Sequence, residues 1–412
     1  MSSKEKARNS VKKNEEQLDS HRQFHKIYFE DYGMDFAFQW LLGSARYGGC
    51  EIGEAFYTAS QITGPESWSD EWLSLAKRVE IKAENAESKK HKVSAREFYL
   101  RATNYYRIAM MSLSSYDLRM AVTTEKMRRC MKKASLLFDP SIEPIELPFE
   151  NRKLHGYFIR ADKSTRKHKT LIAVGGGETY AEDVYFHIAP STVARGYNFL
   201  TVEIPGQGNT PAEGLYFRPD VEIPLKVIID YALSRPEVDP KYIAAYGFSA
   251  GGYFVPRTAA HDSRIKACIA NYAITDFGKI LAAMTFRSKE EMEELKKVIH
   301  LNYRTVETVA WRWNISTNKW KTLIDKNKDY VFNPQEIFCP MLSIISEGKY
   351  KNPIVKKMQE ELMEALPNQN KKIIVGSFED GAGTHCYGEN TGLLSSYLFD
   401  WLDEIFENKI IC

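Results

Sequence analysis

The chain has 412 residues and a formal net charge of +2, from 56 Lys and Arg against 54 Asp and Glu. This length exceeds one ordinary domain, so we expect a large domain and a smaller one. Such a balanced charge predicts neither a nucleic-acid nor a membrane partner. The six cysteines show no C-x-x-C spacing, and MSSKEKARNS at the start lacks the apolar core of a signal peptide. We therefore expect a cytoplasmic protein with reduced cysteines.

The first third of the chain is predicted to be helical. Residues 1–20 carry too little apolar surface to pack, which predicts a mobile tail. Over residues 21–138, apolar and aromatic residues recur at helical spacing, and Pro65 is the only proline before Pro140. The pattern predicts an all-helical N-terminal domain of about five helices. Its tyrosines are expected mainly in the core.

The composition changes at Asp139-Pro140, where prolines appear and the apolar period shortens towards two. A domain boundary near residue 139 follows. Beyond it, apolar runs alternate with helical segments, which predicts an α/β fold with a doubly wound, largely parallel sheet over residues 139–412. The predicted strands are Ile142–Phe149, Leu154–Ile159, Thr170–Val174, Phe199–Ile204, Tyr242–Tyr246, Ala267–Tyr272, Met341–Ile345 and Lys372–Val375.

The fifth of these strands leads into the most informative motif, G-x-S-x-G at residues 247–251. Strand, tight turn and helix in succession predict a nucleophile elbow, which strains the backbone at Ser249 and lifts its hydroxyl above the sheet edge. The amide of Ala250 would then face a developing oxyanion. The alternative is a glycine-rich turn with an incidental serine. The strand before the motif and the helix after it favour the elbow.

A second glycine-rich loop, GGGE at residues 175–178, follows the predicted strand Thr170–Val174. It matches neither the dinucleotide nor the P-loop pattern, so a phosphate site is disfavoured. Amides of Gly176 and Gly177 are instead expected to complete an oxyanion hole opposite Ala250. No metal or organic cofactor is expected.

The general base of such an enzyme follows the nucleophile in the chain. Of the nine histidines, His261, His300 and His385 lie beyond Ser249. His385 lies in DGAGTHCYGEN, between the last predicted strand and the last helix, where a loop can return over the nucleophile. We therefore predict His385 as the base.

Three carboxylates beyond Ser249 are candidates for the acid of the triad. Glu347 is the only carboxylate in the loop ISEGKYKNP after the strand Met341–Ile345. Asp276, which follows the preceding strand, is the alternative, and Asp380 ranks behind both. We predict Glu347 and keep Asp276 open.

The segments GFSAGGY, PGQGNT and GAGTHCYGEN resemble α/β-hydrolases with an all-helical N-terminal domain, as do SARYGGCEIGEAFY and VSAREFYLRATNYYR. This family includes the dihydroxypseudooxynicotine hydrolase of nicotine breakdown and the polyketide-shortening hydrolases of pigment pathways. The resemblance covers most of the chain and implies a helical domain that forms part of the cap. By resemblance, Ser249 is the nucleophile and His385 the base. One departure concerns the acid, because relatives carry it further into the loop, where this chain has Lys349 and Tyr350.

The resemblance implies a serine hydrolase that cleaves a carbon–carbon bond next to a ketone. β-Diketones and poly-β-ketones are the expected substrates, as in polyketide shortening for secondary metabolism or in aromatic ketone breakdown. The substrate is free or tethered to a carrier protein. A carboxylesterase or peptidase of the same fold is one alternative, and a catalytically inactive hydrolase-fold binding protein is another.

We expect the site to be covered by the helical domain together with a lid insert at residues 286–329, which includes Trp311, Trp313 and Trp320. A carbanion leaving group needs a dry site in which the base, rather than bulk water, delivers the proton. The alternative is a helical domain that serves as a dimerisation surface, with the insert as a charged, solvent-facing helix. We expect a homodimer.

Overall fold

The structure, a computed structural model, describes residues 26–283, 300–316, 322 and 325–407. The predicted tail at residues 1–20 lies outside the described residues. Of the predicted lid at residues 286–329, the structure describes residues 300–316, 322 and 325–329, so Trp320 also lies outside. Among the described helices, none is long and apolar enough to cross a membrane.

A single sheet of eight strands organises the described part of the chain. The strands are β1 (Glu143–Phe149), β2 (Arg152–Ile159), β3 (His168–Val174), β4 (Asn198–Val202), β5 (Val238–Phe248), β6 (Ala267–Asn271), β7 (Met341–Ser346) and β8 (Lys371–Gly376). Their order in the sheet is β1-β2-β4-β3-β5-β6-β7-β8. Strand β2 pairs antiparallel with β1 and β4, whereas all neighbours from β4 to β8 are parallel. The parallel strands are apolar on both faces because helices cover both.

Helices precede the sheet and connect its strands. Before β1 they are α1 (Tyr32–Gly43), α2 (Ile52–Gln61), α3 (Pro65–Ser88), α4 (Lys92–Ala109) and α5 (Leu118–Ser135). From β3 onwards they are α6 (Ala181–Ala194), α7 (Glu222–Ser234), α8 (Gly251–His261), α9 (Phe277–Ala283), α10 (His300–Arg312), α11 (Glu347–Tyr350), α12 (Pro353–Ala365) and α13 (Thr391–Glu407). The doubly wound, largely parallel α/β sheet predicted from the sequence is confirmed.

The two faces of the sheet build two separate cores. Along β3, Leu171 and Ala173 point into one core and Ile172 and Val174 into the other, as expected from the two-residue period of a strand. The first core contains buried residues of helices α1–α5 together with those of α6 and α13. The second contains residues of α7, α8 and α12. The N-terminal helices therefore share a hydrophobic core with one face of the eight-stranded sheet.

Helix α1 illustrates how closely the N-terminal helices pack against the elements of the sheet region. The indole of Trp40 stacks on the imidazole of His187 in α6, with ring centroids 5.5 Å apart. Gln39, in the same helix, contacts the Thr384 hydroxyl at 3.1 Å across more than three hundred residues of sequence. Burial lowers the pKa of His187 to about 3, so this imidazole is neutral and acts as an aromatic packing group. Helix α1 thereby packs under the loop that carries His385.

Candidate active site

Ser249 lies in the turn between the central strand β5 and helix α8. Its φ of 57° is in the left-handed region, where residues other than glycine are uncommon and are often held by surrounding structure at functional sites. The Ser249 amide donates to the Asn271 carbonyl at the end of β6 over 2.9 Å. This is the geometry that the G-x-S-x-G motif predicts, with the serine at the carboxyl edge of a parallel sheet.

The glycine loop after β3 lies against this serine. A Cβ placed on Gly176 would come within 2.5 Å of the Ser249 Cβ and 2.9 Å of its Oγ. Only glycine fits such an approach without displacing the serine. The structure thus brings together Gly176 and Ser249, two of the residues predicted from separate motifs.

Gln207, in the PGQGNT segment after β4, holds the glycine loop in place. Its buried side-chain amide donates to the carbonyls of Gly175 at 2.7 Å and Gly176 at 3.0 Å. The hydroxyl of Thr179 donates to the Gly176 carbonyl as well, at 3.0 Å. In a trans peptide the N–H points away from the C=O of the same unit, so these bonds also fix the directions of the Gly176 and Gly177 amides. Gln207 is therefore a positioning residue that the sequence motifs did not single out.

His385 lies in the loop between β8 and α13, and it is buried. The next residue, Cys386, ties this loop to the end of β6. Its carbonyl accepts from Asn271 Nδ2 at 3.1 Å, and its Sγ lies 3.4 Å from the Asn271 carbonyl. Because the Ser249 amide donates to that same carbonyl, Asn271 links the segment of the predicted base to the predicted nucleophile.

The other histidines beyond the nucleophile are placed differently. His261 is exposed at the end of α8, where its Nδ1 lies 2.9 Å from the Arg257 carbonyl and its Nε2 lies 3.8 Å from Glu222. His300 begins helix α10, and its side chain is outside the described part. The loop position of His385 remains the one that matches the predicted base.

The three carboxylates considered for the acid have partners of their own. Glu347 begins helix α11, forms an ion pair with Lys351 at 2.6 Å and accepts from the Phe378 amide at 3.0 Å. The bond from Lys351 lowers the pKa of Glu347, and the bond from the Phe378 amide contributes further. Asp276 accepts from the amide of Lys279 at 2.9 Å, and Asp380 accepts from the Ser377 hydroxyl at 2.7 Å. The choice of Glu347 over Asp276 therefore stays a prediction.

Charged side chains lie beside the glycine loop at residues 175–178. Glu178, the last residue of GGGE, has a half-buried carboxyl whose pKa is raised by burial, against the opposing effect of Arg312 and Arg107. Arg312 of α10 donates to the carbonyls of Gly206 and Gly208 at 2.5 and 3.2 Å. The proximity of Glu178 to Arg107 and Arg312 was not evident from the sequence, because the three residues come from different segments of the chain.

The described part of the predicted insert contacts both the site and the N-terminal helices. The indole of Trp313 packs on Phe217 with ring centroids 4.3 Å apart, and its edge lies 3.9 Å from the Cβ position of Gly177. In α10, Glu307 accepts from the amide of Ser115 at 3.2 Å. The described part of the insert therefore contacts the glycine loop through Trp313 and the N-terminal segment through Glu307, and its role as a lid stays a prediction.

These features define an α/β-hydrolase with a nucleophile elbow. The family model described as "FrsA-like: Esterase FrsA-like" matches residues 62–314, and the chain belongs to this family. Alpha/beta hydrolase xenA of Xenoacremonium sinensis is 34% identical over 91% of this chain and 97% of the relative. The 20-hydroxy-prefusarin hydrolase FUS2 of Gibberella moniliformis is 26% identical over 93% of this chain and 99% of the relative's length.

The same architecture occurs in a solved structure. The crystal structure of the 2,6-dihydroxy-pseudo-oxynicotine hydrolase matches with a TM-score of 0.71 at 20% identity, over 88% of this chain and 95% of the other. At this identity the match concerns the fold. The fold resemblance predicted from the sequence is confirmed, including the helical N-terminal segment that the match spans.

Proposed function

We propose that this hydrolase cleaves a carbon–carbon bond next to a ketone, with Ser249 as nucleophile and His385 as general base. The observation that carries the proposal is the strained Ser249 packed directly against Gly176, since it places a nucleophile beside a loop of oriented amides. The family resemblance supplies the bond type, and an aromatic cover that includes Trp313 suits a conjugated substrate.

The reaction begins when Ser249 Oγ attacks the ketone carbonyl and His385 accepts the hydroxyl proton. Amides of Ala250, Gly176 and Gly177 stabilise the resulting oxyanion. The tetrahedral intermediate collapses with cleavage of the carbon–carbon bond, and the electron pair leaves as an enolate. Protonated His385 delivers its proton to that carbon. Water, activated by the same imidazole, then hydrolyses the acyl-enzyme and releases the acid.

An enolate leaving group requires a substrate with a second carbonyl, that is, a β-dicarbonyl compound. A simple carbanion is too basic to be expelled, whereas a carbanion conjugated with a second carbonyl departs as an enolate. We therefore propose β-diketones or poly-β-ketones, either free or bound to a carrier protein, as the substrate class. The relative named 20-hydroxy-prefusarin hydrolase is in keeping with a role in secondary metabolism.

Hydrolysis of a carboxylic ester is the second candidate, because the matching family model is described as an esterase. The same nucleophile and amides would serve it, with an alkoxide in place of the enolate as leaving group.

A panel of β-diketones, p-nitrophenyl esters and peptides, assayed with the wild type and Ser249→Ala, separates these functions. We expect turnover of β-diketones that exceeds turnover of esters and that is lost in the variant. Faster ester hydrolysis would assign the enzyme as an esterase. Fluorophosphonate labelling tests the catalytic competence of Ser249 directly. Absence of labelling and of turnover would favour an inactive hydrolase-fold binding protein.

A further inference from the structure

Lys349 places a buried amine at the edge of the sheet where the reaction is proposed to occur. It lies in α11, directly after β7, and the residue is only 6% exposed. Its Nζ lies over the ring of Tyr272, 5.1 Å from the centroid. Tyr272 follows Asn271, whose carbonyl accepts a hydrogen bond from the Ser249 amide. Two consecutive residues at the end of β6 thus contact the lysine and the nucleophile turn.

Cys386 connects the amine to the predicted base. The Cys386 thiol interacts electrostatically with Lys349. Its Sγ lies 3.4 Å from the Asn271 carbonyl, to which the Ser249 amide also donates, and Cys386 follows His385 in the chain. Lys349 therefore approaches the site from the side of β7 and the His385 loop, opposite the glycine loop after β3.

The surroundings of this amine lack a compensating negative charge within the described residues. Burial raises the pKa of Cys386 to about 12 and raises the pKa of Tyr272 as well, so both stay protonated at neutral pH. Glu347, on the same short helix, forms its ion pair with Lys351. Burial lowers the pKa of Lys349 to about 8, which still leaves most of the amine as ammonium at pH 7.

A buried cation without a counter-ion is costly, and a bound anion removes that cost. A salt bridge to a protein carboxylate would be the usual solution, but the described partners of Lys349 are an aromatic ring and a thiol. This arrangement favours a site in which the negative charge arrives with the ligand.

We propose that Lys349 is a specificity-determining residue that binds the enolate oxygen of an acidic 1,3-dicarbonyl substrate. The inference rests on the proposed function and narrows its substrate class to compounds that carry negative charge at neutral pH. The ammonium donates a charge-assisted hydrogen bond to the bound enolate. A proton from solvent at the central carbon restores the ketone carbonyl that Ser249 attacks, and the ammonium then stabilises the enolate that leaves after bond cleavage. Neutral esters and neutral ketones gain no such contact.

Binding to the Ser249→Ala protein tests this inference without turnover. The probes are dimedone, a cyclic 1,3-diketone that is an enolate at neutral pH, and its neutral methyl enol ether, measured by isothermal titration calorimetry. Lys349→Met is compared with Lys357→Met, a matched change at an exposed lysine of α12. Lys349→Arg keeps the charge, and melting temperatures report the fold of each variant.

We expect Lys349→Met to weaken dimedone binding about 10- to 100-fold, the scale of one lost hydrogen bond to a charged group. The Lys357→Met variant should bind as the parent does, Lys349→Arg should retain part of the affinity, and the neutral ether should be unaffected throughout. Unchanged dimedone binding in Lys349→Met would overturn the proposal, as would an equal loss for the ether. Trapping of the ligand on Lys349 by borohydride would assign an imine-forming role instead.

The same measurements separate this inference from the proposed function. If dimedone binds through Lys349 but the wild type cleaves no β-diketone, the proposed carbon–carbon cleavage is refuted, whereas the proposed binding of an anion by Lys349 is supported. If β-diketones are cleaved with equal kcat and KM in Lys349→Met, the reaction stands and the role of Lys349 is refuted.

Discussion

Replacing Gln207 by leucine tests whether the glycine loop after β3 acts as an oxyanion hole. The change removes the donor to the Gly175 carbonyl at 2.7 Å and to the Gly176 carbonyl at 3.0 Å. Thr179 still donates to the Gly176 carbonyl, so the loop loses its main anchor but not all of its bonds. The Gly175 carbonyl, by contrast, loses its described side-chain donor.

The magnitude follows from these bonds. A buried acceptor left unsatisfied costs about 1–3 kcal/mol in stability. Deleting a whole oxyanion donor costs about 100- to 1000-fold in kcat. Because Gln207 only directs the amides and Thr179 retains part of the geometry, we expect kcat to fall about 10- to 100-fold. KM should change little, since the amides act mainly on the developing charge.

The assay compares kcat and KM for the best substrate of the panel with the affinity for a trifluoromethyl ketone, which forms a tetrahedral oxyanion on the serine. Gln359→Leu is the matched control, because Gln359 is also buried and donates to a backbone carbonyl, that of Ala273, at 2.7 Å. It should lose comparable stability and keep its kcat. If Gln207→Leu loses no more kcat than this control, the glycine loop is not the oxyanion hole.

Three further outcomes are expected. Ser249→Ala should keep its melting temperature and lose turnover, and retention of more than about a tenth of the wild-type rate would exclude Ser249 as nucleophile. Glu347→Gln should lower kcat by orders of magnitude and Asp276→Asn should lower it less; the reverse ranking would assign the acid to Asp276. A chain cut to residues 139–412 should be poorly soluble and inactive, because it exposes the core that α1–α5 share with the sheet. A soluble truncated protein with full turnover would refute the shared cover.

Much of the catalytic part could be predicted from the sequence because its signals are local. A parallel strand covered on both faces reads as a short apolar run, and the antiparallel strands β1 and β2 flank the short turn at residues 150–151. All eight strands of the described sheet were therefore found within a few residues. The elbow at Ser249 is likewise marked by five consecutive residues, of which all but Phe248 have small side chains.

The sequence could not predict contacts between segments that are distant in the chain. The pattern of helix α1 indicates an amphipathic helix but not its partner, and only the tertiary structure places Trp40 on His187 under the loop of His385. The boundary expected near residue 139 falls between α5 and β1, yet one hydrophobic core continues across it. Composition changes mark where the secondary structure changes, whereas burial depends on which faces meet.

The charges of the site show the same division. Sequence alone determined that Glu347 and Lys349 share one loop, and favoured the carboxylate as the functional group because triads use one. The tertiary structure directs Glu347 to Lys351 and the Phe378 amide and buries the Lys349 ammonium over Tyr272. A four-residue helix points neighbouring side chains in different directions, and their environments come from β6, β8 and the His385 loop. The properties of a charged group depend on its burial and its partners, and these are decided only when the chain is folded.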